Sequence, residues 1–464
     1  MQKSSRRGMF KQAASLTGAA LLPALALLPG ASLLQGSPAG ALPGPDDESG
    51  TDNAPGGQGC HSPYHKAPVT FYAHRLGTDH AEGVAVIDMN GDGRPDITSG
   101  AYWYENPGPA GGPWKRHKFR QIAPPVPGST SEAQQQNKAF WTEFVADNGE
   151  FAIDVNKDGA LDLVTSSWQN DGIWWFENPK KTGVMWMPHF ICHSVTTEGM
   201  VEADVLGDGK PNILAAHYGR KGLIWVNFSG TSPVVHHVGG PEQDGHGVGV
   251  ADIDGDGKPD IMSPFGWFKN IDAAKNQWEW HPEWKLGETG FPIIGYDVNQ
   301  DGKMDLIYGH GHEYGLYWLE QTIQNGKRAW RQHLIDDSFS QVHALQMADI
   351  DGDGEPELIA GKRYRGHNGH DIGSYEPLCI YYYKIDRSKA SFDRFTVSYN
   401  GTAEAGTQFV VTDIDGDGDQ DIIVAGKTGV HWLENLKVNT RSRDAREKEL
   451  LLRTKGWPFP DEND

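Results

Sequence analysis

Seven copies of one acidic turn constrain this chain more than any other feature. Each reads Asp-x-Asp/Asn-x-Asp-Gly-x-x-Asp or a near variant, and the copies begin at Asp88, Asp154, Asp204, Asp252, Asp297, Asp349 and Asp413. Successive starts lie 66, 50, 48, 45, 52 and 64 residues apart, close to the length of a four-stranded repeat in radial folds. Before each turn runs a short apolar segment, such as Gly83 to Ile87, and behind it another, such as Ile213 to Ala216. An aromatic segment follows, as in Tyr102-Trp103-Tyr104-Glu105 and His431-Trp432-Leu433-Glu434. A fourth segment often follows a tryptophan and carries a histidine, as at His117 and His333. Short strands with fixed turns at regular spacing predict an all-β, seven-bladed β-propeller with calcium-type turns, whose closed ring leaves few exposed edges.

Composition agrees. The 58 glycines and 16 tryptophans suit many tight turns and large sheet faces rather than long helices. The formal net charge of -21, with no basic stripe, argues against a nucleic-acid partner. The cysteines, Cys60, Cys192 and Cys379, fit no metal or redox spacing; one disulfide is open to them and their separation does not decide it.

The ends are read apart from the ring. Arg6 and Arg7 precede an apolar run from Ala13 to Leu34, the order of a twin-arginine export signal, assigned to residues 1–40. Pro23 and Pro29 interrupt that run, which argues against a spanning helix. Residues 41–66 are assigned to a flexible leader, 67–438 to the propeller and 439–464 to a charged helical tail, and the expected destination is the periplasm.

Oxygen donors at turn positions 1, 3 and 5, a glycine at 6 and a carboxylate at 9 suit a hard cation such as Ca²⁺. The expected ligands are Asp88, Asn90, Asp92 and Asp96; Asp154, Asn156, Asp158 and Asp162; Asp252, Asp254, Asp256 and Asp260; Asp297, Asn299, Asp301 and Asp305; Asp349, Asp351, Asp353 and Glu357; and Asp413, Asp415, Asp417 and Asp421. The third copy has Leu206 and Asn212 at ligand positions, so an empty or weak site is expected there. These ions would brace the blades and take no part in chemistry.

Alternating strand direction then sorts the connections. With every acidic turn between strands one and two, all seven lie at one end of the ring. The lead-in to strand one and the connection between strands two and three lie at the other. The lead-ins place His80, Glu82, Glu150, Glu198, His246 and His343 at that opposite end; the second set places Trp168, His217, Arg220, His310, His312, Tyr314, Arg363, Arg365, His367 and His370 there. A ring of histidines, glutamates and arginines at one channel mouth is the candidate site. The segment Gly361 to Tyr375 is the candidate substrate cover, and the insertion from Pro124 to Phe144 a candidate wall. His117 and His333, by contrast, are read as ordinary packing or surface residues.

These repeats resemble the FG-GAP/VCBS family, over about residues 70–438. Its members include integrin-like propellers, lectin-like modules and polysaccharide lyases. The stretches Val342 to Glu355 and Cys379 to Arg387 are similar to late blades in the propeller part of the aldos-2-ulose dehydratases; ulvan-type polysaccharide lyases are a more distant likeness. The dehydratases' cupin-like part has no counterpart here.

Both likenesses imply elimination beside a carbonyl or carboxylate of an oxidised, anhydro or uronic sugar. That chemistry needs a base for the α-proton, a cation for the developing enolate and an acid for the leaving oxygen. His343 or His246 is the expected base or acid, Arg365 or Arg363 the expected enolate or carboxylate clamp, and Tyr314 or His80 a helper. Glu82, Glu198, Trp168, His217, Arg220, His310, His312, His367 and His370 are the expected carbohydrate-binding residues. His310 and His312 with a third ligand form a candidate site for Zn²⁺ or a similar ion. The rival reading is a non-catalytic propeller that binds a glycan or a protein with the same side chains.

Overall fold

The computed structural model describes residues 69–109, 111–122, 147–167, 172–194, 197–216 and 222–437. The chain divides into two units, Met1–Gly59 and Cys60–Asp464, and every described residue belongs to the second. The export signal, leader and tail, the insertion from Pro124 to Phe144 and Cys60 lie outside the described residues. Cys379 is a free thiol.

Seven four-stranded antiparallel sheets make up the described chain, a seven-bladed β-propeller with almost no helix. Blade one runs outward through Ala85–Ile87, Asp96–Ser99, Tyr102–Glu105 and Lys115–Lys118. Blades two to six repeat that order. The seventh does not draw all its strands from one stretch: Phe409–Thr412, Asp421–Gly426 and Gly429–Asn435 are completed by Phe71–Gly77, the first strand among the described residues. Phe71 pairs with Asn435 and His74 with Trp432, so the ring is closed by backbone hydrogen bonds between its two ends. Seven apolar clusters fill the interfaces, each drawn from two neighbouring blades, including blades seven and one through Ile423, Trp432, Val84 and Tyr104.

Two repeated devices explain why the sequence motifs recur. The first is a cross-strand stack on the outer strands. Trp103 lies on His117 at 4.4 Å, Trp175 on His189 at 4.3 Å, Trp225 on His236 at 4.1 Å, Trp267 on His281 at 4.4 Å and Trp318 on His333 at 4.3 Å. The closing blade has the same stack, His74 on Trp432 at 4.3 Å, from opposite ends of the chain. Blade six substitutes Tyr382 on Phe395 at 5.1 Å. His117 and His333 are therefore packing residues. A glutamate two residues beyond the tryptophan fixes several of these imidazoles, as Glu105 does His117 at 2.9 Å and Glu434 does His74 at 2.8 Å.

The second device is the carboxylate at turn position 9. Asp260 is fully buried; its Oδ2 accepts the Ile253 N–H at 2.9 Å and its Oδ1 the Asn270 N–H at 2.8 Å. Asp96, Asp162, Asp305 and Asp421 make the same pair of bonds. The side chain thus ties the turn to the end of strand three, and burial pushes the Asp260 carboxyl up to about 6, against the pull of the two N–H donors. At position 1 the aspartate accepts the N–H groups of positions 5 and 6, as Asp349 does from Asp353 and Gly354 at 3.0 Å each. Glycine is required at position 6 because the backbone there has positive φ, from 76° at Gly209 to 96° at Gly418, where a side chain is strained. In blade three Asn212 takes over position 9 and holds the Val205 N–H at 3.1 Å.

Asp260→Ala should leave two buried N–H groups without acceptors and cost about 2–6 kcal/mol, each orphaned donor costing roughly 1–3. Asp260→Asn, which keeps one acceptor as Asn212 does, should cost clearly less. Denaturant unfolding of both variants measures the difference.

Candidate functional site

Every acidic turn joins the innermost strand of its blade to the second, so all seven share one end of the ring. At the other end the lead-ins to the inner strands converge with the connections between second and third strands. Glu82, Glu198, His246 and His343 come from the lead-ins to blades one, three, four and six; His312 and Arg363 come from the connections of blades five and six. All six are at most 8% exposed.

Arg363 lies at the centre. Its Nε and Nη2 donate to Glu82 Oε1 and Oε2 at 2.8 and 2.7 Å, its Nη1 donates to Glu198 Oε1, and the same Nη1 lies 3.1 Å from His343 Nε2. Lys427 adds a second cation on Glu82 at 2.9 Å, and the Asn148 amide donates to it at 3.0 Å. Burial alone would raise the carboxyl of Glu82; Arg363 and Lys427 hold it below its ordinary value instead. Burial acts the same way on Glu198, and Arg363 with His246 holds it well below. His343 is driven the other way, by burial first and then by Arg363, far below the ordinary imidazole value.

Local backbone structure aims His343. Val342 pairs with Lys362 and Ala344 with Gly361, so His343 is the extra residue of a β-bulge, a device that re-aims a side chain. His246 Nε2 lies 3.1 Å from Glu198 Oε2 and 3.3 Å from His312 Nε2, while its Nδ1 meets the Thr289 carbonyl. His312 Nδ1 meets Asp371 Oδ2 at 2.8 Å; His367 Nδ1 meets Asp371 Oδ1, also at 2.8 Å. His312 stacks on His367 at 4.3 Å and stands edge-on to His343 at 4.9 Å. The imidazoles form a row from the buried His343 to His367, whose side chain is 29% exposed.

Other expected site residues fall elsewhere. Arg363 does not serve as a free clamp, because the two glutamates engage all of its donor nitrogens. His310 stands apart from His312, its ring between the carbonyls of Tyr314 and Leu286 at 3.2 and 3.1 Å, so the expected His310–His312 metal pair does not form. His80 and His370 are exposed. Tyr314 donates to Glu376 at the rim, and Arg365 lies over the rings of Tyr364 and Tyr375 at 5.8 and 5.2 Å. Trp168, His217 and Arg220 lie outside the described residues.

Sequence reasoning missed Asp371, which sits in the segment Gly361 to Tyr375 but carries no motif of its own. It also missed Arg120, fully buried, which donates to the Gly100 carbonyl at 2.5 Å and to Asp147 and Glu150. Glu404, fully buried against the N–H groups of Tyr364 and Thr428, was missed as well, and burial pushes it up to about 7.

Several groups could hold a metal ion. Glu198, His246, His312 and His343 offer donor atoms within 4.8 Å of one another, as do the acidic turns of blades four, six and seven. In blades four and six an ammonium already sits among the turn carboxylates: Lys269 on Asp254 and Asp256, Lys384 on Asp351 and Asp353. A cation at that point fits the donor set. Blade three, with Leu206, lacks the position-3 oxygen.

The FG-GAP-like repeat family matches residues 204–263 and 297–360, which run from the turn of blade three into blade four and from the turn of blade five into blade six. No curated protein matches the chain significantly in sequence. Among solved structures, one concerned with recognition of non-reducing terminal N-acetylglucosamine by an Agrocybe aegerita lectin is 16% identical, covers 78% of this chain and 81% of its own, and has a TM-score of 0.32. The V. cholerae biofilm matrix protein Bap1 is 12% identical, with coverage of 81% and 92% and a TM-score of 0.41. At these values neither likeness bears on function. Fold and repeats together define the class: a seven-bladed β-propeller carrying FG-GAP-like repeats. Among the described residues no helix is long and apolar enough to cross a membrane.

Proposed function

We propose that the protein is a carbohydrate lyase or dehydratase. It would eliminate a hydroxyl or alkoxyl group beside a carbonyl or carboxylate of an oxidised, anhydro or uronic sugar at the channel end opposite the acidic turns. One observation carries this reading: a buried imidazole, His343, held neutral beside Arg363, starts a row of three that ends at the partly exposed His367. A neutral imidazole at one end and a solvent-facing, carboxylate-held imidazole at the other suit proton removal and proton return.

In this reading His343 accepts the α-proton at Nε2 as the C–H bond breaks, the contact of that nitrogen with Arg363 Nη1 giving way to the proton. The electron pair moves into the new double bond, and the C–O bond to the leaving group breaks. His367, oriented by Asp371, donates the proton that the departing oxygen takes. Arg363 serves as the brace that keeps Glu82 and Glu198 ionised, and Arg365 at the rim takes the role of substrate contact. The non-catalytic reading has one observation in its favour: Tyr375, 73% exposed, under the Arg365 guanidinium, is the kind of rim surface on which a sugar ring stacks.

Incubation with 1,5-anhydrofructose, 3-keto-glycosides or uronic polysaccharides should produce ultraviolet absorbance from a conjugated alkene. His343→Ala should abolish it with the fold intact by circular dichroism. Sugar binding without new absorbance would establish the binding module instead.

For the acidic turns the ion proposed is Ca²⁺, bound through oxygen donors in every blade but the third. Calorimetry should find fewer strong sites than blades, and a chelator should lower the melting temperature. Unchanged melting after chelation would count against it. The export signal and periplasmic destination are part of the same proposal; fractionation of the native host tests them.

A further inference from the structure

The segment from Tyr364 to Glu376 brings His367 and Asp371 onto the imidazole row, and Asp371 binds both His312 and His367. Within the segment the backbone bonds to itself: Gly369 N–H to the Arg365 carbonyl, His370 to His367, Ser374 to Asp371 and Glu376 to Gly373. One residue outside it holds both of its ends. Gln341, fully buried, accepts the Gly366 N–H on Oε1 at 2.8 Å. Its Nε2 donates to Ser374 Oγ at 2.9 Å and to the Ile372 carbonyl at 3.4 Å.

The backbone of the same residue reaches the other end of the row. The Gln341 carbonyl accepts the Arg363 N–H at 3.0 Å and lies 3.4 Å from His343 Nδ1, while Arg363 Nη1 faces Nε2 of that ring. A carbonyl only accepts and a guanidinium only donates. The hydrogen of the neutral ring therefore sits on Nδ1 and the lone pair on Nε2.

Backbone and packing both show how tightly this seat is specified. Gln341 has φ 60°, in the left-handed region, which a non-glycine residue keeps only where its surroundings over-determine it. Arg365, His367 and Asn368 share that region, at 45°, 48° and 57°. A Cβ on Gly366 would lie 3.0 Å from Gln341 Oε1 and 2.5 Å from Asp371 Oδ2, and one on Gly373 would overlap Ser340 Oγ. Either would lift the segment from its seat.

We propose that Gln341 is a positioning residue that latches this segment over the imidazole row, its carbonyl orienting His343 and its amide seating the turn that carries His367 and Asp371. Both ends of the row are set from one residue, which acts through these three side chains and touches no reacting atom. Its chemical role rests on the lyase reading; the latch stands without it.

Hydrogen exchange of the full-length protein, with turnover on a sugar that the wild type converts, tests this. Gln341→Gly keeps the carbonyl and adopts positive φ without strain, so it should fold while losing the amide. Exchange over residues 364–376 should quicken by about tenfold or more, with Val342 to Ala348 unchanged. On the same variant kcat should fall by about tenfold or more and KM should change less, as a misplaced proton donor gives. Gln341→Glu keeps an acceptor for the Gly366 N–H and should restore most of both. If Gln341→Gly does not fold, Gly366→Ala, which disturbs the same contact from the segment's side, takes its place. Three outcomes overturn the proposal: unchanged exchange over the segment in the folded variant; a rise shared equally by Val342 to Ala348, as general packing would give; or no restoration by Gln341→Glu. Quickened exchange with unchanged kcat would reject the positioning role and leave the lyase reading standing. A wild type that converts no sugar would defeat the lyase reading, and exchange alone would then decide the latch.

Discussion

One guanidinium holds the centre of this molecule. Arg363 leaves blade six, crosses the channel mouth and binds Glu82 at the lead-in to blade one and Glu198 at the lead-in to blade three. Three fully buried charges of this kind are costly to dehydrate, and breaking such a group by removing one partner leaves an uncompensated ion. The arrangement survives because every guanidinium nitrogen has an acceptor and Lys427 supplies a second cation. Its consequence is local order: Glu198 stays ionised, His343 stays neutral, and lead-ins from separate blades are held in one register. The imidazole row has its geometry because the brace lies beneath it.

The rest of the fold frees that end of the ring to be specialised. Repeated turns at the opposite end fix each blade through buried position-9 carboxylates, and Trp–His stacks lock the outer strands. Closure by the strand Phe71–Gly77 ties the two chain ends together with the stack used inside ordinary blades. Stability is therefore supplied by one end and the rim. The lead-ins can carry buried charge and a bulge at His343 where a uniform repeat would carry apolar residues.

Much of this was legible in the sequence, and the reason is strand alternation. Once the acidic turns were assigned between strands one and two, antiparallel pairing alone placed Glu82, Glu198, His246, His312, His343 and Arg363 together. What failed was side-chain detail that spacing does not encode. His310 and His312 are two residues apart, yet His310 faces the Tyr314 and Leu286 carbonyls while His312 faces Asp371 and His246. Arg363 reads as a free cation until the two glutamates appear around it. Asp371 is one acid in a polar loop, and only the folded connection of blade six brings both of its oxygens against imidazoles. The position-9 aspartates looked like ligands and act also as backbone staples, a role visible only once the end of strand three lies beside them.

A double-mutant cycle on the brace tests this picture most directly. Unfolding free energies of Arg363→Met, of Glu82→Gln with Glu198→Gln, and of the combination give the coupling between guanidinium and carboxylates. The account predicts a loss of about 3–5 kcal/mol for Arg363→Met alone, most of it recovered when both glutamates are already neutral. A loss below about 1 kcal/mol, the range of an exposed ion pair, with no coupling to either glutamate, would contradict it.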